Sequence, residues 1–288
     1  KLNLKEPITS CCIENIPDQL TADWFIGILS ALGSDKDFFI SFALVNKKIS
    51  RGSISIAPDH LDAIKSEIPS FNYKEWSIDQ FCRLALMLHL DKVKNYKSIN
   101  MLLSTADTRE QISLYKSIPF LENAQDFLEP VINGIRTNIT DTYDSIALNN
   151  PYPEIFFGES AWNQMVLKGI FMERPIYQII GLDKRKNIKL AHILHDYAKE
   201  RWSASRRVTP ELWRLLSGYL TEALFEDIKE MLEKDSDESI AAFSLMIMES
   251  DISTAKEWLR NLKLTSVNWS WDQIGYQFWT SNKLTTSN

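Results

Sequence analysis

The sequence predicts an all-α protein built as an irregular array of many helices, paired toward the C-terminus. The 288 residues include 9 Gly and 10 Pro, too few for a turn-rich β protein. Capping signals recur ahead of segments whose apolar residues are spaced by three and four. A hydrophobic content of 44% is enough to bury one large core or two modest domains.

The first elements follow from amphipathic runs and their boundaries. We expect helices over residues 21–32 and 34–45, the second opened by Ser34, and an extended linker over residues 50–56. The sequence therefore predicts two short N-terminal helices followed by an extended linker.

Capping boxes locate the next helices. Ser77 with Gln80, and Asp107 with Glu110, each place a side-chain acceptor and a carboxylate or amide three residues apart ahead of an apolar run. Apolar residues spaced by three and four predict one further helix over residues 130–148.

Two helices follow in the middle of the chain. Residues 161–172 carry apolar side chains at nearly every angle of a helical wheel, which predicts a fully buried helix. Residues 187–203 have one apolar stripe and one charged face. Thr209 followed by Pro210 predicts an N-cap and a first helical residue.

Short Asp/Ser breaks separate the remaining helices, predicted over residues 221–232, 239–248 and 253–262. The pair over residues 237–262 is typical of a degenerate HEAT-like unit. The aromatic tail is expected to dock on the body through Trp271, Ile274, Phe278 and Trp279. We divide the chain into residues 1–140, a core over residues 141–265 and the tail over residues 266–288, with one continuous domain as the alternative.

Charge and cysteine content exclude several classes. The net charge is −6 and the Lys and Arg residues are dispersed, so no nucleic-acid-binding surface is indicated. Cys11, Cys12 and Cys82 form neither a disulfide framework nor a metal motif and fit a reducing compartment. No apolar run is long enough to cross a bilayer. The start lacks a signal sequence and an initiator Met, so we expect a cytoplasmic protein whose N-terminus is incomplete.

Polar side chains on the apolar faces mark the candidate site. Gln164 and Lys168 share one stripe of the helix predicted to be buried, and Arg201 lies on the apolar face of the next helix. A buried guanidinium requires a carboxylate, for which Asp183 and Glu211 are the candidates.

Two interpretations of these residues remain open. One is a core ion pair, and the other is a pocket of polar groups among aromatic rings, formed by Asn163, Gln164, Lys168, Arg201, Trp202, Trp213 and Arg214. Asn150 and Tyr152 precede the buried helix, where backbone N–H groups suit an anion, although a simple helix-entry turn is the favoured explanation for them.

Metal and covalent chemistry are not indicated. His192, His195, Asp196 and Glu200 fall on or beside the charged face of one helix, and their spacing is not that of a zinc motif. The sequence also lacks a nucleophile elbow, a phosphate-binding loop and a dinucleotide fingerprint. It therefore identifies no catalytic residue, metal or cofactor.

Five segments together resemble the EboA family. They are N-P-Y-P at residues 150–153, A-W-N-Q-M-V-L-K at 161–168, G-L-D-x-R-x-N-x-x-L-A at 181–191, D-Y-A-x-E-R-W-x-A-x-R at 196–206 and P-E-L-W-R at 210–214. The resemblance implies a role in a gene cluster for processing or export of a secondary metabolite, including the scytonemin precursor. It also implies partners from that cluster, whose members resemble a prenyltransferase, a TatD-like hydrolase and a dehydroquinate-synthase-like enzyme.

The combined reading predicts a noncatalytic accessory protein that binds an aromatic or prenylated metabolite or a partner protein. The alternatives are an enzyme that uses Lys168 or Asp196 as acid or base, and a pure protein scaffold. The predicted ligand-binding residues are Asn150, Tyr152, Trp162, Asn163, Gln164, Lys168, Asp183, Arg185, Asp196, Tyr197, Glu200, Arg201, Trp202, Arg206, Glu211, Trp213 and Arg214.

Overall fold

A computed structural model describes residues 3–90, 92–229, 237–261 and 269–286. Over these ranges every regular element is a helix, and the single extended pairing is an isolated bridge between Ser53 and Ser77. The predicted all-α class is confirmed. The chain divides into two compact units, an N-terminal unit, Lys1–Gly158, and a C-terminal unit, Glu159–Asn288. No helix in the described ranges is long and apolar enough to cross a membrane.

In its described residues, the N-terminal unit has ten α-helices joined by short loops and 3₁₀ turns. They are α1 (Lys5–Asn15), α2 (Gln19–Ser30), α3 (Asp35–Lys48), α4 (Pro58–Glu67), α5 (Ile78–His89), α6 (Lys92–Thr105), α7 (Thr108–Ser117), α8 (Leu128–Ile135), α9 (Thr140–Ala147) and α10 (Tyr152–Phe156). Helices α1, α4, α6 and α10 were not predicted from the sequence.

Local capping fixes several of these boundaries. Both predicted capping boxes form, ahead of α5 and α7. Ser34 caps α3 as expected, whereas α2 starts earlier than predicted because Asp18 accepts the Thr21 backbone N–H at 2.9 Å. Side-chain acceptors therefore satisfy N–H groups that the first helical turn leaves unpaired.

Helix α5 forms the centre of the N-terminal core. It packs against α1, α3 and α7, and nearly all of its side chains are buried. Arg83 is fully buried there, with Nη1 3.3 Å from Asp79 Oδ2 and Nε donating to the Phe42 carbonyl. The three cysteines are buried free thiols.

The single helix predicted over residues 130–148 is wrong, because the chain forms α8 and α9 with a turn between them. The Arg136 and Thr137 N–H groups close back onto Asn133 and Gly134 carbonyls at 3.1 and 3.2 Å. The Thr137 hydroxyl then accepts the Ile139 N–H at 3.1 Å, so side-chain and backbone bonds replace helical ones here. The break lets α8 and α9 pack against each other.

Seven α-helices are described in the C-terminal unit. They are α11 (Glu159–Phe171), α12 (Ile188–Ser203), α13 (Glu211–Leu216), α14 (Glu222–Lys229), α15 (Asp237–Met248), α16 (Ser253–Asn261) and α17 (Trp271–Thr286). The helix ends predicted near Leu232 and Leu262 lie outside the described residues.

The boundaries of this unit agree closely with the sequence prediction. Asn187 caps α12 by accepting the Leu190 N–H at 3.0 Å. Helix α13 begins one residue later than expected, with Pro210 rather than Thr209 in the cap position. In α17 the Ile274 side chain is fully buried. Helices α15 and α16 are adjacent, and their HEAT-like character stays a prediction.

Candidate functional site

The residues predicted to bind ligand are distributed over both units. Asn150 and Tyr152 belong to the N-terminal unit, where both are buried. The Asn150 amide donates to the carbonyls of Tyr115 and Ser145, at 3.2 and 2.9 Å, and its oxygen accepts the Tyr152 N–H. The Tyr152 hydroxyl donates to the Ala124 carbonyl at 2.9 Å. Both side chains therefore hold the entry to α10.

In the C-terminal unit, Trp162 and Arg185 form a cation–π contact. The guanidinium carbon of Arg185 lies 4.5 Å from the centroid of the Trp162 ring, which is fully buried. The Trp162 indole N–H has no acceptor among the described residues. The contact ties the loop before α12 to α11.

Asn163 and Asn187 form a reciprocal amide pair next to this contact. Asn163 Nδ2 donates to Asn187 Oδ1 at 3.1 Å, and Asn187 Nδ2 donates to Asn163 Oδ1 at 2.8 Å. Since Asn187 also caps α12, one side chain both starts that helix and holds it against α11.

Among the described residues of this unit, the shortest ion pair belongs to Arg214. Its Nε and Nη2 donate to Asp183 at 2.9 and 2.6 Å, and its Nη1 donates to Asp272 at 2.7 Å. Hydrogen bonds from Arg214 lower the pKa of the Asp183 carboxyl. This bidentate geometry is the one expected between a guanidinium and a carboxylate.

The predicted pairing of Arg201 with Asp183 or Glu211 is wrong. Asp183 is bound by Arg214, and Arg201 Nε donates instead to the Arg207 carbonyl at 3.0 Å. The physical reason is the end of α12, where Ser205 adopts a positive φ of 54° and turns the backbone toward Arg201.

Glu211 is a buried carboxyl group in a tightly packed position. One of its oxygens accepts the Tyr177 N–H at 2.6 Å, and burial raises its pKa from 4.5 to about 8. A Cβ atom at Gly275 would lie 2.7 Å from Glu211 Oε1 and from the Tyr177 ring, so only glycine fits there. Glu211 is therefore protonated at neutral pH and enclosed.

Two tryptophans predicted to line the pocket stack on each other. The Trp202 and Trp213 rings are 5.5 Å apart with an interplanar angle of 24°, and Trp213 also meets Phe243 edge-on. Trp213 is buried and Trp202 is half-buried, whereas the neighbouring Arg206 is exposed. These rings belong to the packing between α12 and α13.

Helix α11 is not fully buried, contrary to the prediction. Its core face carries Trp162, Val166 and Ile170, whereas Gln164 is exposed and Phe171 is 56% exposed. Gln164 therefore does not face protein as predicted. The reason is that α11 packs on one side only, against α12 and a 3₁₀ turn, which leaves residues 164 and 171 on the outer side.

The outer side of α11 meets one aromatic ring of α12. The Phe171 and Tyr197 rings lie 4.8 Å apart at 43°. Lys168, half-buried, lies one turn before Phe171, and desolvation lowers its pKa. We call Gln164, Lys168, Phe171 and Tyr197 the α11–α12 face.

The remaining predicted residues of α12 point to solvent. Asp196 and Glu200 are exposed, and His195 approaches Asp227, with Nε2 to Oδ2 at 3.1 Å. In the part of the chain that the structure describes, no three His, Cys, Asp or Glu side chains are grouped to hold a metal ion.

Sequence reasoning missed a cleft of about 350 Å³ in the N-terminal unit. Its walls come from α6, α7, α8, α9 and the turn between the last two, and its polar lining consists of Asn100, Ser104, Gln111, Tyr115, Asn133, Thr137 and Thr142. One signal was available, a glycine inside a predicted helix. A Cβ at Gly134 would lie 2.5 Å from Tyr115 Oη, so glycine lets α8 approach α7.

Comparison with known proteins identifies one family. The family model described as "Metabolite traffic protein EboA" matches residues 22–217, more than half of the chain. No curated protein and no solved structure matches the sequence.

Proposed function

The chain belongs to the EboA family, described as a metabolite traffic protein, and from this premise we propose that it is a noncatalytic helical accessory protein. Its task is to bind a small metabolite with an aromatic or prenylated part during processing or export. The binding surface is the α11–α12 face.

One observation carries this proposal: the exposed Phe171 ring contacts the half-buried Tyr197 ring beside a lysine. Phe171 keeps 56% of its surface in water although its ring contacts Tyr197. Gln164, Lys168 and Phe171 recur at steps of four and three along α11, so they share one side of the helix. A flat apolar group can cover the rings while the amine and the amide meet its polar substituents.

The expected affinity follows from the exposed area. An aromatic side chain offers roughly 150–250 Å², so a ligand covers about 100 Å² of Phe171. At about 25 cal/mol per Å², this contributes on the order of 2.5 kcal/mol. Ring contact alone therefore gives weak binding, and Lys168 must add a charge-assisted contact for selective capture. Weak, reversible binding suits a protein that transfers a metabolite to another protein.

The enzymatic alternative has less support from the geometry. Asp196 is exposed and offers no enclosed setting for acid–base catalysis. Glu211 has a pKa near neutrality, but Tyr177 and the α17 backbone at Gly275 enclose it. A substrate cannot approach that carboxyl without unpacking α17.

The test uses 1-naphthoate as the probe, with binding measured by ligand-observed NMR. We expect Phe171→Ala to weaken binding about 10-fold or more, because the covered ring is lost. The matched control is Tyr276→Ala, which removes an aromatic side chain that is 54% exposed on α17. The control should bind like the wild type.

A second comparison isolates the lysine. Lys168→Gln should weaken binding of 1-naphthoate more than that of neutral 1-naphthol, because only the carboxylate needs the cation. Equal binding by the Phe171→Ala and wild-type proteins would exclude this face as the metabolite site. Native mass spectrometry that shows a bound protein, lost on Phe171→Ala, would instead favour the scaffold alternative.

A further inference from the structure

The cleft of the N-terminal unit has walls built for hydrogen bonding without charge. It is lined by three amide side chains, Asn100, Gln111 and Asn133, and by the hydroxyls of Ser104, Tyr115 and Thr142. None of the residues described as lining it carries a charge. A charged ligand would lose hydration there without gaining a counter-charge, so the walls select an uncharged one.

Tyr115 supplies the clearest sign of a ligand. Only 7% of this residue is exposed, and its hydroxyl bonds to no described residue, yet the oxygen itself is not fully buried and so reaches the cleft. Burial also raises the pKa of the phenol, which keeps it protonated as a donor. The hydroxyl therefore faces the cleft rather than the packed interior, where it can donate to a ligand. A ligand hydroxyl or carbonyl in the cleft would accept a hydrogen bond from the Tyr115 hydroxyl.

Other polar groups of the cleft walls make only long, weak hydrogen bonds within the protein. Gln111 Nε2 lies 3.4 Å from the Leu103 carbonyl, and its Oε1 lies 3.4 Å from the Thr142 hydroxyl. Hydrogen bonds of this length are weak. Asn133 Oδ1 accepts from Arg136 at 3.0 Å, which occupies the amide oxygen and leaves the amide N–H groups to donate.

Size and apolar surface narrow the ligand class. The volume of about 350 Å³ is at the small end of the range for metabolite sites, roughly 300–1,000 Å³. Leu103, Pro130 and Ile139 add apolar wall, and Ile139 is 47% exposed. We infer that this cleft binds an uncharged small ring that carries two or more hydroxyl groups, held by Tyr115 and the amides. This site is independent of the α11–α12 face.

Two tyrosines of the same unit provide a matched test. Tyr115→Phe removes the hydroxyl that has no protein partner, whereas Tyr152→Phe removes one that donates to the Ala124 carbonyl. The probes are myo-inositol and resorcinol, which separate an aliphatic from an aromatic hydroxylated ring, and D-glucuronate as the charged control. Binding is measured to the full chain by ligand-observed NMR titration.

We expect at least one neutral probe to bind and Tyr115→Phe to weaken it roughly 10-fold, the effect of one lost hydrogen bond. Tyr152→Phe should bind it unchanged, and D-glucuronate should not compete. If neither neutral probe binds, if Tyr115→Phe binds as tightly as the wild type, or if D-glucuronate binds equally well, the inference is overturned. Loss of binding on Phe171→Ala would also contradict it.

Discussion

In the N-terminal unit the Tyr115 hydroxyl borders a cleft and bonds to no described residue. In the C-terminal unit, by contrast, Arg214 donates hydrogen bonds to two aspartates at once. Asn163 and Asn187 likewise bond to each other. Asn163, Asn187 and Arg214 of the family-like segments thus hold helices together, whereas the polar residues of the cleft keep hydrogen-bonding capacity for a ligand. Gln164 and Lys168, from the same segments, lie instead on the α11–α12 face.

The largest expected effect comes from Glu211, the enclosed carboxyl group of the C-terminal unit. The folded protein keeps this carboxyl protonated up to about pH 8, whereas the unfolded chain ionises it near 4.5. The folded state then holds the extra proton between these values, so stability falls as the pH rises through that window. At about 1.4 kcal/mol per pH unit, the total effect is on the order of 5 kcal/mol.

Glu211→Gln should abolish this dependence, because the amide oxygen still accepts the Tyr177 N–H and cannot ionise. Urea unfolding should show the variant more stable than the wild type at pH 8, with the gap closing near pH 5. The exposed Glu200→Gln serves as the control and should follow the wild type at both pH values. A gap that is the same at pH 5 and pH 8 would contradict the proton-linked account.

A smaller effect is expected from Arg214→Ala. This change removes the guanidinium shared by Asp183 and Asp272, and Asp183 keeps Lys186 at 3.8 Å. It should destabilise the protein by about 2–3 kcal/mol, less than for a fully buried pair because both carboxylates are half-exposed or more. Lys189→Ala, which breaks the exposed pair with Glu159, should leave the unfolding midpoint nearly unchanged. Equal shifts for the two variants would show that Arg214 is not a structural centre.

The smallest expected effect on stability distinguishes Tyr115 from Tyr152 in the N-terminal unit. Tyr152→Phe should lower the unfolding free energy by about 1 kcal/mol, because the Ala124 carbonyl loses its donor. Tyr115→Phe should leave it unchanged, since its hydroxyl bonds to no described residue. Thermal melts of both variants measure this, and a destabilised Tyr115→Phe would mean that its hydroxyl already has a structural role.

Signals that act within one or two helical turns could be read from the sequence. The boxes at Ser77 and Asp107 and the cap at Asn187 all form as predicted. Such signals did not locate the turn within residues 130–148, because Gly134 is the one helix-breaking residue near the break at Thr137. The continuous apolar spacing concealed a turn that backbone hydrogen bonds and the Thr137 hydroxyl stabilise.

The sequence by itself determined the all-α class, the start of α12 and the family, because helix caps, apolar periodicity and motif order are local properties. Only the tertiary structure decided that Arg214 rather than Arg201 takes Asp183, and that α11 turns residues 164 and 171 outward. It alone formed the cleft beside Tyr115. The physical reason is that partners and exposure depend on which helices meet, and those contacts join residues far apart in the chain.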